Sequence, residues 1–207
     1  MGKPLIAYTI EQALESKFID DCIVSTDSKT IAEVAIRYGA RVPFIRPRHL
    51  ARDNSGTLNV LIHALDQLKR TGQAENDILV LLHCTTPLRT AGDIDACIRL
   101  MTDSGATSVF SVTEAGRNPY FNMVEIDKCH KPHLVKKGRF LTRQAAPRVY
   151  DMNSSIYVWK TDEFRKRRSI FTRKTRVYVM PKERSIDIDD RFDFLFAETI
   201  LRGKAHG

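Results

Sequence analysis

Four carboxylates crowd into one stretch near the C-terminus. RSIDIDDRFD, residues 184–193, carries Asp187, Asp189, Asp190 and Asp193, a local reversal of sign in a chain with a formal charge of +8. Asp187 and Asp189 are two positions apart. On an extended backbone their carboxylates share one side, and Ile186 and Ile188 take the other, where they can enter a core. Paired hard oxygen donors suit Mg2+, which keeps several waters and bridges substrate phosphates. The same acids also suit a solvated turn ahead of a helix, where negative charge meets the exposed N–H groups; Asp190 or Asp193 fits that capping role better than the first pair. On these residues alone both readings stand.

His83, in LHCTTPLR, follows a run of aliphatic residues. It can ligate a metal, hydrogen-bond a substrate or titrate near neutral pH, and it can equally be a neutral histidine satisfied by backbone at a strand end. The cysteines Cys22, Cys84, Cys97 and Cys129 are widely spaced and form no CxxC pair, so reduced thiols are expected. The basic excess points to polyanions, either nucleic acid or a small anion such as a nucleotide. RKRRSIFTRKTR, residues 165–176, holds seven Lys/Arg and no acid. It reads as a solvated helix end and loop or as a nucleic-acid surface. With no nucleic-acid-binding motif beside it, that partner ranks last.

The elements that must position these residues follow from hydrophobic periodicity. PLIAYTIEQALES places Ile6, Ile10, Ala13 and Leu14 on one helical side, with Pro4 suited to the first turn. A short strand is expected at Cys22–Val24. A second helix follows, with Ser28 as N-cap and Gly39 as stop. TLNVLIHALDQLKR is a third helix ended by Gly72, and AGDIDACIRLMTDSG a fourth. DILVLLH and SVFSVTE are strands, the first a continuous apolar run of the kind buried in parallel sheets. Alternating strands and helices imply a doubly wound α/β sheet. Residues 117–150 break the pattern and read as an antiparallel excursion; SSIYVWK and TRVYVMP are further strands, and RFDFLFAETILRGK a terminal helix. No apolar run approaches the roughly 18 residues of a membrane span. The first residues turn amphipathic at once and lack a signal-peptide cleavage pattern, so a cytoplasmic chain without membrane partners is expected. The hydrophobic content of 43% over 207 residues suffices for a single domain spanning 1–207.

In order and spacing, several stretches resemble the acylneuraminate cytidylyltransferase family, the CMP-sialic acid synthetases: GKPLIAYTIEQAL, IVSTDS, LARDNSGT, TTPLRT, RNPYFNMVE, RQAAPRVYDMNSSIYVW and SIDIDDRFDF. The resemblance implies a nucleotide-diphospho-sugar transferase type of mostly parallel sheet, with residues 117–150 as a dimerisation arm. It implies transfer of a cytidylyl group from CTP to an acidic nine-carbon sugar, sialic acid or a related nonulosonic acid, with release of pyrophosphate. Asp187 and Asp189 would then be Mg2+ ligands. Arg143 and Gln144 match a catalytic Arg-Gln pair that holds the sugar acid, possible because guanidinium meets carboxylate with two parallel hydrogen bonds. Lying near the arm of a homodimer, that pair can serve the neighbouring subunit. Asn153 and Tyr157 match sugar-pocket residues, and Arg46, Asp53 and Ser55 match the loop that reads cytosine and ribose. From the residues alone, Arg143 is a surface charge and Tyr157 an inward strand residue.

Three departures stand out. His83 and Cys84 replace the Gln and Pro of the family's usual LQPTSPLR, which leaves the identity of the sugar open. No covalent intermediate is needed for this transfer, so no nucleophilic role is assigned to Cys84. Ser154 and Ser155 replace a Gly-Ala pair. The strand and Gly-rich triphosphate loop that normally precede GKPLI are not present in the sequence, which suggests a truncated or degenerate relative. The alternative to an enzyme is therefore a non-catalytic binding or dimerisation module.

Overall fold

The computed structural model describes residues 2–52, 55–72 and 77–205, with only the backbone described at 204 and 205. In chain order the elements are α1 (Leu5–Leu14), α2 (Lys29–Arg37), α3 (Thr57–Arg70), β1 (Ile78–Leu82), α4 (Ala91–Ser104), β2 (Ser108–Glu114), β3 (Val124–Ile126), β4 (Pro132–Leu134), β5 (Tyr150–Lys160), α5 (Thr161–Arg167), β6 (Thr175–Val179) and α6 (Arg191–Ala205). Helix ends follow the capping chemistry of the sequence. The Ser28 hydroxyl accepts from the Ile31 N–H at 3.3 Å, and Thr90 with Asp93 forms a reciprocal capping box on α4. Gly39, at φ +94°, closes α2 in a conformation most side chains avoid. Pro4 is the N-cap of α1, with an extended ψ of 145°, so the first helical residue is Leu5 and Pro4 lies just outside the turn it was expected to join.

The main sheet has the order β1-β5-β2-β6. β5 runs antiparallel to both β1 and β2, and β2 is parallel to β6, so three of the four strands share one direction. Both faces are covered. Ile94, Cys97, Ile98 and Met101 of α4 pack with Val109, Ile156 and Val158 on one face. Leu61 of α3 and Phe164 of α5 pack with Phe110, Tyr157 and Trp159 on the other. Burial on both faces is why Val109 and Phe110 of β2 and residues 156–159 of β5 are apolar at successive positions, and each fully buried aliphatic or aromatic side chain contributes roughly 1.5–3 kcal/mol. β3 and β4 form a separate antiparallel hairpin inside the expected 117–150 excursion.

β1 departs from this pattern: all five of its residues are only partly buried. The strand expected at Cys22–Val24 is reduced to a single parallel bridge between Ile23 and Arg41. Both facts have one cause. A cavity of about 630 Å³ lies between residues 22–26 and β1, lined also by Ile6 and Ile10 of α1 and Leu65 and Leu68 of α3. The His83 N–H donates to the Ser155 carbonyl, and the Thr161 N–H to the Asp77 carbonyl. In this register the odd-numbered residues of β1 bond to β5. The backbone groups of Ile78, Val80 and Leu82 therefore turn toward the cavity. Arg41 accepts from Val24 and donates to the Cys22 carbonyl, so the backbone of Ile23 turns the same way. With no ladder on that side, Cys22–Val24 gains no further pairing.

Polar stitches on one side of α1 cross to the sheet. Thr9 meets Arg89, Gln12 donates to the Pro87 carbonyl at 2.7 Å, and Ser16 donates to Asp95 at 2.6 Å.

Candidate active site

The carboxyl end of β1 leads into the loop His83–Thr90, which folds around a buried guanidinium. Arg89 donates through Nη1 to the His83 carbonyl at 2.7 Å, and to Thr86 and the Ser155 carbonyl. Its Nη2 donates to the Thr9 hydroxyl at 2.6 Å. Burial lowers its pKa to about 10, against the opposing pull of Cys84 and Asp93. Neutral acceptors receive its hydrogen bonds, and its Nε is buried without a partner.

His83 lies over Tyr157, with ring centroids 5.8 Å apart. Burial lowers its pKa, Asp187 opposes the shift and Arg89 reinforces it, so the imidazole is neutral at neutral pH. Tyr157 is an inward strand residue, stacked on Trp159 at 5.7 Å. Burial raises its phenol pKa, with Ser154 opposing and Asp187 adding to the rise.

The acidic stretch reaches this corner. The turn Lys182–Arg184 is fixed by Arg184, which pairs with Asp93 of α4 at 2.8 Å. The Asn153 amide donates to the Ser185 hydroxyl at 2.9 Å. The Ile188 N–H donates to the Thr85 carbonyl at 2.8 Å. Between these anchors Asp187 holds one carboxylate oxygen buried and without a hydrogen-bond donor. That oxygen suits a cation, because a buried anionic acceptor with nothing to bond is costly. Among the described residues no three or more His, Cys, Asp and Glu side chains gather to enclose a metal. An ion here would complete its shell from water and phosphate, as Mg2+ does. Asp189 is exposed. The expected capping role falls to its neighbours: Asp190 accepts from the N–H groups of Phe192 and Asp193, and Asp193 from those of Asp189 and Asp190.

The remaining expected residues divide between two cavities. Arg46, Ser55 and His83 line the cavity beside β1. Arg46 has a buried Nε without a partner, and Ser55 donates to the His49 carbonyl at 2.7 Å. Asp53 lies outside the described residues. Arg143 and Gln144 line a different hollow of about 870 Å³, with Glu114, Asn118 and Lys182. The Arg143 guanidinium donates to the Ala115 carbonyl at 2.6 Å. Asp187 lines neither of these two spaces. The polar atoms of Asn153 are committed within the fold: it accepts from Ser111 at 2.7 Å and donates to Ser185. Next to it, Ser154 adopts φ +51° beside a register shift in the β2–β5 pairing. That backbone explains why glycine is the family's usual residue there.

Sequence reasoning missed Arg89, Asp93 and Arg184. Part of each network is distant: Arg184 lies 91 positions from Asp93 and Thr9 80 from Arg89, so the local Thr90–Asp93 capping spacing alone could have pointed to any of it.

Residues 1–200 match the family model described as Cytidylyltransferase. The chain is 39% identical over 197 residues to the CMP-N,N'-diacetyllegionaminic acid synthase of Campylobacter jejuni, covering 95% of this chain and 83% of that protein. It is 35% identical over 200 residues to the post-translational flagellin modification protein B of Campylobacter coli, covering 97% and 85%. Among solved structures, CMP:2-keto-3-deoxy-manno-octonic acid synthetase complexed with CTP superposes with a TM-score of 0.68 at 13% identity, covering 99% of this chain and 90% of the other. At that identity the likeness speaks for the fold.

Proposed function

Because the chain belongs to the cytidylyltransferase family and is thus a nucleotidyltransferase, we propose that it moves a cytidylyl group from CTP to a nonulosonic acid. A sugar hydroxyl oxygen bonds to the α-phosphorus as the bond to pyrophosphate breaks. The observation that carries this reading is the donor-free carboxylate oxygen of Asp187, buried at the mouth of β1 beside His83. Open α/β sheets place ligands beyond the carboxyl ends of their strands, which is this corner.

Arg46 and Ser55 would contact the nucleotide from the cavity wall, and neutral His83 would offer a hydrogen-bonding edge without adding charge. Asp187, with Asp189, would hold Mg2+. That ion neutralises phosphate oxygens as charge moves to the leaving group. Arg143 and Gln144, with Lys182 nearby, form a cationic hollow suited to the carboxylate of the sugar. Since Asp187 does not line that hollow, Arg143 would serve the site of a second copy in a homodimer. Exposed apolar side chains support such a dimer: Ile126 on the β3–β4 hairpin, Leu141, and Phe192 on α6. Among the described residues no helix is long and apolar enough to cross a membrane.

The test is pyrophosphate release from CTP and Mg2+ with a panel of acids: sialic, N,N'-diacetyllegionaminic, pseudaminic and 3-deoxy-octulosonic. Turnover is expected with at least one nine-carbon acid, and with the legionaminic acid first on the strength of the 39% identity. Absence of turnover with every acid, in a protein that binds no CTP by calorimetry, would overturn the proposal.

A further inference from the structure

The carboxylate of Asp93 is a junction of three elements, and Arg184 is the arm by which it reaches the acidic stretch. Asp93 is 1% exposed. It accepts five hydrogen bonds: from Arg184 Nε at 2.9 Å and Nη2 at 2.8 Å, from the Tyr178 hydroxyl at 3.0 Å, and from the Thr90 N–H at 2.9 Å and hydroxyl at 2.8 Å. One buried group thereby joins the start of α4, the strand β6 and the turn that delivers Asp187. The two-pronged guanidinium contact fixes direction as well as distance, which a single ammonium contact does not.

We infer that Arg184, held by Asp93, is a positioning residue for Asp187 and sets how tightly the acidic stretch holds a divalent cation. Only Ser185 and Ile186 separate Arg184 from Asp187. The next two anchors, the Asn153 amide on the Ser185 hydroxyl and the Ile188 N–H on the Thr85 carbonyl, leave Asp187 little freedom once Arg184 is seated. The donor-free oxygen of Asp187 is therefore held in place before any ion arrives. A pre-placed ligand binds more tightly than one that must be ordered first. The inference rests on the proposed role of Asp187 as a cation ligand. It adds that a pair some distance from the ion controls that ligand.

Mn2+ titrated into the nucleotide-free full chain and followed by electron paramagnetic resonance tests this without turnover. The set is the parent, Asp187→Asn, Arg184→Lys and Tyr178→Phe. Arg184→Lys keeps the charge and removes the fork; Tyr178→Phe removes one bond to Asp93 and is the milder change. Arg184→Lys is expected to weaken Mn2+ about tenfold, the low end for groups behind a metal ligand. Tyr178→Phe should weaken it about two- to threefold, a step below the loss of the fork. A purely structural pair would lower the melting temperature of both variants and leave Mn2+ affinity at the parental value, and that result overturns the inference. If Arg184→Lys does not fold, Tyr178→Phe alone decides. Parental Mn2+ binding that survives Asp187→Asn would instead remove the underlying assignment of Asp187.

Discussion

Replacing Asp187 with Asn is expected to stabilise the metal-free protein while removing its activity. One oxygen of Asp187 is buried and receives no hydrogen bond. A buried polar atom left unsatisfied costs about 1–3 kcal/mol, and more when it is charged. The residue as a whole is half-buried, so solvent screens part of that charge and the lower figure of about 1 kcal/mol applies. Asn keeps the shape and discards the charge. For a chain of this length, 1 kcal/mol corresponds to about 2–4 °C in melting temperature. Thermal melts of parent and variant in chelator-treated buffer should show that rise. Millimolar Mg2+ should then raise the parent's melting temperature and leave the variant unchanged, because only the parent gains by binding the ion. Pyrophosphate release should fall at least about 100-fold in the variant, beyond the effect of losing a group behind the ligand. A lower melting temperature for Asp187→Asn in metal-free buffer would refute the reasoning, since it would mean the carboxylate was already satisfied.

Three further outcomes are expected. Ser154→Gly should raise the urea midpoint at unchanged slope, a gain in unfolding free energy of about 0.5 kcal/mol. Relief of a left-handed residue is worth about 1 kcal/mol, partly offset by the greater freedom of glycine in the unfolded chain; the residue stands at φ +51°. Stability should fall as pH drops below about 6.5: burial lowers the His83 pKa from 6.5, so there the unfolded state binds the proton that the folded state refuses. His83→Gln should flatten that slope, and an unchanged slope would count against the assignment. Amide exchange should be faster at Val80 and Leu82, which face the cavity, than at Leu79 and Leu81, which bond to β5; equal protection would show that the edge is covered.

Much of this fold was legible because helix ends and strand faces are local matters. Ser28 and Gly39 act within three or four residues of their own positions, so their capping roles show in the sequence. The strand β1 declared itself by a continuous apolar run, and β2 and β5 by the short β-branched and aromatic stretches SVFSV and IYVW that the fold buries. α5 was anticipated only as a helix end at the start of residues 165–176: TDEFRKR is seven residues long, and only Thr161 and Phe164 are buried, too few for a period. The strand at Cys22–Val24 was overestimated because propensity cannot report whether a neighbour is there to pair with. At the site, the alternation of Ile186 and Asp187 was visible, as was the capping by Asp190 and Asp193. The absence of Asp187 from the hollow that Arg143 lines was not, because it depends on how two distant loops fold back over the sheet. Arg89 looked like an ordinary turn residue, yet is 2% exposed.

The opening beside β1 has a thermodynamic consequence for the whole molecule. Water must enter it to solvate the backbone groups of Ile23, Val80 and Leu82, so a wet seam runs through what would otherwise be continuous oil. Across that seam, residues 5–42 are joined to the rest by the directional contacts of Thr9, Gln12 and Ser16 and by Ile19, which packs on the Ile94 cluster. Denaturant should therefore loosen this edge before the sheet, and unfolding should register as two partly separated steps.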